Sequence, residues 1–285
     1  MDPSEIIARR VVYSFPGMEK AQVRPDIVYK SVEGVALRLD AYYPPEFAYN
    51  KALPAVLFIH GDGPVEVIKN VKSWGQYISW GQLVAACGLI GIPFEHRSSR
   101  GRIAGMEAVD ADIHDLIDYV RAHAAELHID PCSLCVWACS AGVPYLQELM
   151  ATPPDYVRGL VAYYGMMDFR QFTDSISRET PAEERAATVQ LFKKFSLLKH
   201  LQDHPTTIPP LFIAQASLDD PVANDTINRF VAAASARGAG VESVRHPNGQ
   251  HGFDIVDDDE TSRKIIEQTL RFINNSTRIN ANWTD

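Results

Sequence analysis

Apolar positions along this chain change period repeatedly, and each change marks an element. Residues 35–44 (VALRLDAYYP) alternate apolar and polar side chains, the pattern of an early antiparallel strand. Residues 53–60 (LPAVLFIH) form a continuous apolar run bounded by Pro54 and Gly61, as in a strand covered on both faces. Residues 89–97 (LIGIPFEHR) and 133–140 (SLCVWACS) read the same way, and 157–165, 209–217 and 241–247 supply three more strands. Between them the period lengthens. Residues 73–88 read as a helix ended by Gly88, and within 105–130 Val109, Ile113, Leu116, Ile117, Val120 and Leu127 fall at helical spacing. Helices are also expected over 142–151, 223–238 and 259–275.

Strands alternating with helices predict an α/β fold: a mostly parallel, doubly wound sheet with helices on both faces and right-handed crossovers. No repeat, low-complexity tract or linker divides the sequence, so residues 1–285 are expected to form a single domain. The stretch at about 168–208 exceeds an ordinary connection and is too small for a core of its own. It reads as a small helical excursion, or partial cap, over the edge of the sheet.

Composition narrows the partners. The net charge of −9 argues against nucleic acid or an anionic membrane, both of which call for basic clusters. No run approaches the length of a membrane span, and the start has no apolar core of signal-peptide length, so a soluble cytoplasmic protein is expected. The Asn-x-Ser/Thr matches at Asn274, Asn275 and Asn282 then read as chance. Cys132, Cys135 and Cys139 have a C-x2-C-x3-C spacing but no suitable fourth ligand. In a strand, Cys135 and Cys139 share a face with Trp137, so no metal is expected. Residues 60–64 (HGDGP) match neither a phosphate loop nor a dinucleotide fingerprint, and no cofactor is expected.

The chemistry centres on Ser140. It follows the apolar run 133–139, a helical pattern follows it, and the residues two before and two after are Ala138 and Gly142. A sharp strand-to-helix turn that exposes a nucleophile needs small residues at those two sites. Neighbouring Cys139 fails this test, because Trp137 would occupy one of its crowded flanks. A serine nucleophile needs a base, and the base needs an orienting carboxylate. His251, in a Gly/Asn-rich loop beyond the last strand, is the candidate base. His246 ends that strand and reads as structural or surface, and His200 and His204 belong to the excursion. Asp219 and Asp220 follow a late strand together, and residue chemistry alone does not separate them. The HGDGP loop has glycines that let backbone N–H groups approach a developing oxyanion.

Taken in order, VALRLDAYYP, LFIHGDG, ACSAG, LDDPV and QHGF resemble the α/β-hydrolase superfamily over residues 25 to 275, roughly. The N-terminal half looks most like esterases and lipases with an HGGG-type motif. The HGF ending looks like the dienelactone-hydrolase and prolyl-oligopeptidase-type branches. The resemblance implies Ser140 as nucleophile, His251 as general base and Asp219, the first of the Asp pair, as the acid. It implies an oxyanion hole from the N–H groups of Ala141, Asp62 and Gly63. Asp62 stands where a glycine is usual, so its carboxylate is expected to turn away or to pair with Arg97 or Arg100. Dienelactone hydrolase itself uses a cysteine, which is absent at this apex.

The expected activity is therefore cleavage of a carboxylic ester of a small or medium substrate through an acyl-enzyme. Alternatives are a peptidase or amidase of prolyl-oligopeptidase type, or a non-catalytic ligand-binding protein on the same fold. Trp74 and Tyr77, just past the HGDGP loop, and Phe94 with His96, ending a strand at the same edge, are candidate pocket residues.

Overall fold

A computed structural model describes residues 3–203 and 208–277, so His204 and Asn282 lie outside the described residues. Eight strands form one sheet: β1 (Gln22–Val32), β2 (Val35–Tyr43), β3 (Leu53–Ile59), β4 (Ile90–Pro93), β5 (Ile129–Cys139), β6 (Val157–Tyr163), β7 (Leu211–Ala216) and β8 (Val241–His246). Their order is β1-β2-β4-β3-β5-β6-β7-β8. β1 and β2 pair antiparallel, β2 meets β4 antiparallel, and every later pairing is parallel. This is the mostly parallel sheet expected from the period changes. β1 has no counterpart among the expected strands: its residues are largely exposed, so no apolar run announces it.

Helices cover both faces. On one lie α1 (Gly75–Ala86) and α8 (Glu260–Thr277), and on the other α2 (Met106–Ala122) and α6 (Pro221–Ala236). Strand alternation divides the two cores sharply in β5: Leu134, Val136 and Ala138 face one, and Cys135, Trp137 and Cys139 the other. Trp80, Trp137, Tyr163 and Phe253 are essentially inaccessible there, each burial contributing roughly 3 kcal/mol of gross hydrophobic stabilisation.

The expected helix over 142–151 forms differently. Residues Ser140–Leu146 make 3₁₀ turns, and only α3 (Gln147–Ala151) is α-helical. Pro144 lacks an N–H and its ring crowds the preceding turn, which accounts for the departure. The excursion comprises a 3₁₀ turn at Arg170–Ser175, α4 (Ala182–Lys194) and α5 (Leu197–Asp203). α5 buries Leu197, Leu198 and Leu201 in the core, whereas α4 has no buried residue. Asp168, almost fully buried, ties the segment to α6 by accepting from both Arg170 and Arg229. Among the described residues no helix is long and apolar enough to cross a membrane.

Candidate active site

β5 ends at Cys139, and Ser140 takes a φ of 53°, a left-handed conformation costly for a residue with a Cβ. The turn is tight for a measurable reason. A Cβ on Gly142 would lie 2.6 Å from the His60 carbonyl oxygen, so the close approach of the β3 loop admits only glycine. The turn thus lifts Ser140 to the carboxyl edge of the sheet, where the loops after β7 and β8 also converge. His251 Nε2 lies 2.9 Å from Ser140 Oγ, and His251 Nδ1 lies 2.7 Å from Asp219 Oδ2.

The two aspartates that residue chemistry left unresolved have separate jobs. Asp220 Oδ1 accepts from the Val222 and Ala223 N–H groups and caps α6, with Pro221 at its first position. Asp219 turns to the imidazole and also accepts the Asp220 N–H at 2.7 Å. Burial would raise the Asp219 carboxyl, but the His251 and Asp220 bonds and the imidazole charge outweigh it and hold it below its ordinary 3.8. His246 is buried and bonded to Asp259 and Ser262, away from the serine. Burial pushes the Cys139 thiol up to about 12, so it stays protonated beside the turn.

Beyond β3, Gly61 approaches Ser140 so closely that a Cβ there would meet the serine Cβ at 3.2 Å. Two expectations concern this loop. Asp62 turns away, one of the two outcomes expected of it, and pairs with neither Arg97 nor Arg100: its carboxylate accepts the Ser99 N–H, the Ser99 hydroxyl and the Gly63 N–H. Arg97 is committed to Asp112, through bonds of 2.9 Å from Nε and Nη2. The Gly63 N–H, expected at the oxyanion, instead donates to Asp62 Oδ1 at 2.8 Å. Ser98 Oγ donates to the Gly63 carbonyl at 2.6 Å, completing a latch between the two loops.

A cavity of about 960 Å³ opens beside Asp62, Gly63 and Ala141, and extends to Arg100, Arg102 and the Phe169–Phe172–Phe192 side of the excursion. Trp74, Tyr77 and Phe94 do not line it. Trp74 packs half-buried on the α1 core, Tyr77 is buried with its hydroxyl 3.3 Å from Cys139 Sγ, and Phe94 is buried in the opposite core. His96 is also interior: its ring stacks on His60 at 3.5 Å, and burial holds both imidazoles below their ordinary 6.5.

The profile of the prolyl oligopeptidase family matches residues 101–279, well over half of the chain and spanning Ser140, Asp219 and His251. The chain belongs to the prolyl oligopeptidase family. Among solved structures it is similar to a thermophilic esterase, Est2, from the planctomycete Thermogutta terrifontis. The native form matches at 22% identity with a TM-score of 0.72, covering 94% of this chain and 97% of that one. The butyrate-bound form matches at 22% identity and 0.69, covering 91% and 95%. The form phosphorylated by paraoxon matches at 22% and 0.65, covering 90% and 93%. At this identity the likeness establishes the fold, which is that of the α/β-hydrolases. No curated protein sequence matches the chain.

This family member carries a second carboxylate near His251, one that the sequence reading weighed as a possible acid and set aside as too close along the chain to orient the imidazole from a separate loop. Asp254, three residues after His251, is fully buried and surrounded by neutral donors: Gln76 Nε2 and Trp80 Nε1, each at 2.9 Å, and the Tyr164 hydroxyl at 2.7 Å. Burial raises its carboxyl above the ordinary 3.8, and those three bonds only partly offset the rise. The Tyr164 ring in turn lies 4.8 Å from the His251 ring. Only the spacing Asp254–His251 hinted at this, since Gln76, Trp80 and Tyr164 come from distant elements. Elsewhere, Asp110, His114 and Glu148 bring ligand-type atoms within 4.8 Å of one another, but Lys194 Nζ already answers the Asp110 carboxylate at 3.0 Å. Cys132 is exposed while Cys135 and Cys139 are buried.

Proposed function

We propose that this protein is a serine hydrolase that cleaves carboxylic esters of small or medium-sized substrates through an acyl-enzyme. One observation carries the reading: the unbroken chain Ser140 Oγ–His251 Nε2 at 2.9 Å and His251 Nδ1–Asp219 Oδ2 at 2.7 Å, set beside a substrate-sized cavity. Ser140 Oγ attacks the ester carbonyl as His251 Nε2 takes its proton. Asp219 holds Nδ1–H and stabilises the imidazolium that forms. The oxyanion is received by the Ala141 N–H, with the loop at Asp62 supplying the second donor. His251 then returns the proton to the leaving alcohol and activates the water that releases the acid. No cofactor enters this scheme.

On this reading the chain is one hydrolase domain in which residues 168–208 form a partial cap over the cavity. It works in the cytoplasm on small molecules, in keeping with its free cysteines and acidic charge. Est2 from Thermogutta terrifontis, with its butyrate and paraoxon forms, supports an esterase; the family match supports a second reading, cleavage of amides.

A fluorophosphonate probe tests the proposal. It is expected to label Ser140 in the wild type and not in Ser140→Ala, with 4-nitrophenyl acetate turned over only by the former. An unlabelled wild type, or turnover by the variant, defeats it. Faster cleavage of a matched amide than of its ester would select the second reading.

A further inference from the structure

We infer that the substrate half entering the cavity carries a carboxylate, received by Arg100 and Arg102. The inference rests on the serine-hydrolase reading and names the substrate class of that same site. The cavity combines two chemistries. Its excursion side presents Phe169, Phe172 and Phe192, while the opposite loop presents two arginines.

Three other arginines on this side of the molecule are answered by carboxylates. Arg97 is held by Asp112, and Arg170 and Arg229 share Asp168. Among the described residues, by contrast, neither the Arg100 nor the Arg102 guanidinium has an ion pair or hydrogen bond.

Two acidic groups share the cavity, and neither takes the arginines. The Asp62 carboxylate is engaged by donors from Ser99 and Gly63, and Glu66 makes no ion pair with either arginine. A guanidinium presents donors in a planar fork that matches a carboxylate two bonds at a time, and this geometry confers specificity as well as attraction.

The arginine loop is positioned rather than loose. Ser98 and Ser99 fasten it to the loop beside the nucleophile through the Gly63 carbonyl and the Asp62 carboxylate. Gly105 closes its other end against Ser99, where an added Cβ would lie 2.2 Å from the Ser99 carbonyl oxygen. Arg100 and Gly101 follow with φ of 57° and 66°, a turn that places the two arginines on either side of its tip. A substrate anchored there by its carboxylate would lay its hydrocarbon on the phenylalanines, with its ester near Ala141.

The test compares matched esters on the intact protein. For an acid on the acyl half, mono-4-nitrophenyl glutarate is set against 4-nitrophenyl valerate. For an acid on the alcohol half, 4-acetoxyphenylacetate is set against 4-methylphenyl acetate. In at least one pair the anionic ester is expected to have a kcat/KM tenfold or more above its neutral counterpart. That advantage, read as the ratio of the two kcat/KM values within each pair, should vanish in Arg100→Met/Arg102→Met and should shrink as salt rises. Protection of Ser140 from the fluorophosphonate by 3-phenylpropionate, and not by 3-phenylpropanol, is a second readout that needs no turnover. Equal or better use of neutral esters in both pairs, or no selective protection by the acid, overturns the inference while leaving the hydrolase intact. An unlabelled Ser140 with no ester cleaved overturns the hydrolase reading and the inference with it.

Discussion

Two carboxylates are tied to His251, one at the mouth of the site by a direct bond and one on its floor through Tyr164, and they are held in opposite ways. Asp219 bonds directly to the imidazole, and that bond helps keep it ionised. Asp254 is enclosed by Gln76, Trp80 and Tyr164, all neutral donors, and burial raises its carboxyl. The mouth is built for chemistry and the floor for position. At the mouth, half of the His251 side chain is exposed, so reagents and water reach it. At the floor, a polar group without its partners incurs the desolvation penalty in full.

The comparison breaks most sharply at the nucleophile. Ser140→Ala and His251→Ala are each expected to lower kcat by about 10⁴–10⁶ with little change in melting temperature, read by steady-state kinetics and calorimetry. Asp219→Asn should cost about 10⁴ in kcat, because the amide no longer favours the required tautomer. Near-normal turnover in that variant would assign the orienting role elsewhere.

The floor should respond in the other currency. Asp254→Leu removes the acceptor of the Trp80 N–H and the Tyr164 hydroxyl, at about 1–3 kcal/mol each, and leaves Gln76 Nε2 only the Tyr164 oxygen, so chemical denaturation should show a loss of several kcal/mol. Asp254→Asn retains one acceptor oxygen and should lose much less. An unchanged denaturation midpoint in the leucine variant would contradict the role given to the floor.

Acidity sharpens the contrast further. His60 and His96 are buried neutral beneath the Gly61 loop, with folded values depressed from 6.5. Below that pH the unfolded chain binds protons that the folded one does not. Stability should therefore fall as the pH drops through 6.5, by up to ~1.4 kcal/mol per pH unit for each proton. Asp254 has the opposite sign. Its raised folded value contributes stability that is fully present below 3.8 and is lost as pH rises through the folded value. Denaturation midpoints from pH 7.5 to 5, in the wild type and Asp254→Asn, separate the two contributions.

The smallest effect belongs to Asp220. Removing its cap on α6 by Asp220→Ala should cost about 1 kcal/mol and leave turnover near the wild-type value. A large kinetic loss there would erase the distinction between the two adjacent aspartates.

Much of the frame was readable before any coordinates. The inner parallel strands β3 to β7 announced themselves as apolar runs because both faces of each are covered, whereas β1, exposed over most of its length, did not. The turn at Ser140 was readable because its tightness tolerates few residues at its flanks, and the loop that brings His251 to it because that loop is Gly-rich and follows the last strand. The pocket was not. Trp74, Tyr77 and Phe94 lie close in sequence to the site, yet helix and strand faces turn them into the two cores. Beyond the loop at Asp62 and Gly63 and the turn at Ala141, much of the cavity's lining comes from the Arg100 loop and the excursion, segments without strong periodicity.

By itself, then, the sequence determined the alternation of elements, the order of the sheet's chemistry-bearing loops and the tight turn at Ser140. These depend on local rules: side-chain period and the steric demands of one turn. Only the tertiary structure decided that Asp219 rather than Asp220 meets the imidazole, that Asp62 closes on Ser99 instead of an arginine, and that Asp254 lies under the base. Each of those outcomes is a competition between partners far apart along the chain, and it is settled by which donor the packed fold brings within about 3 Å of each carboxylate.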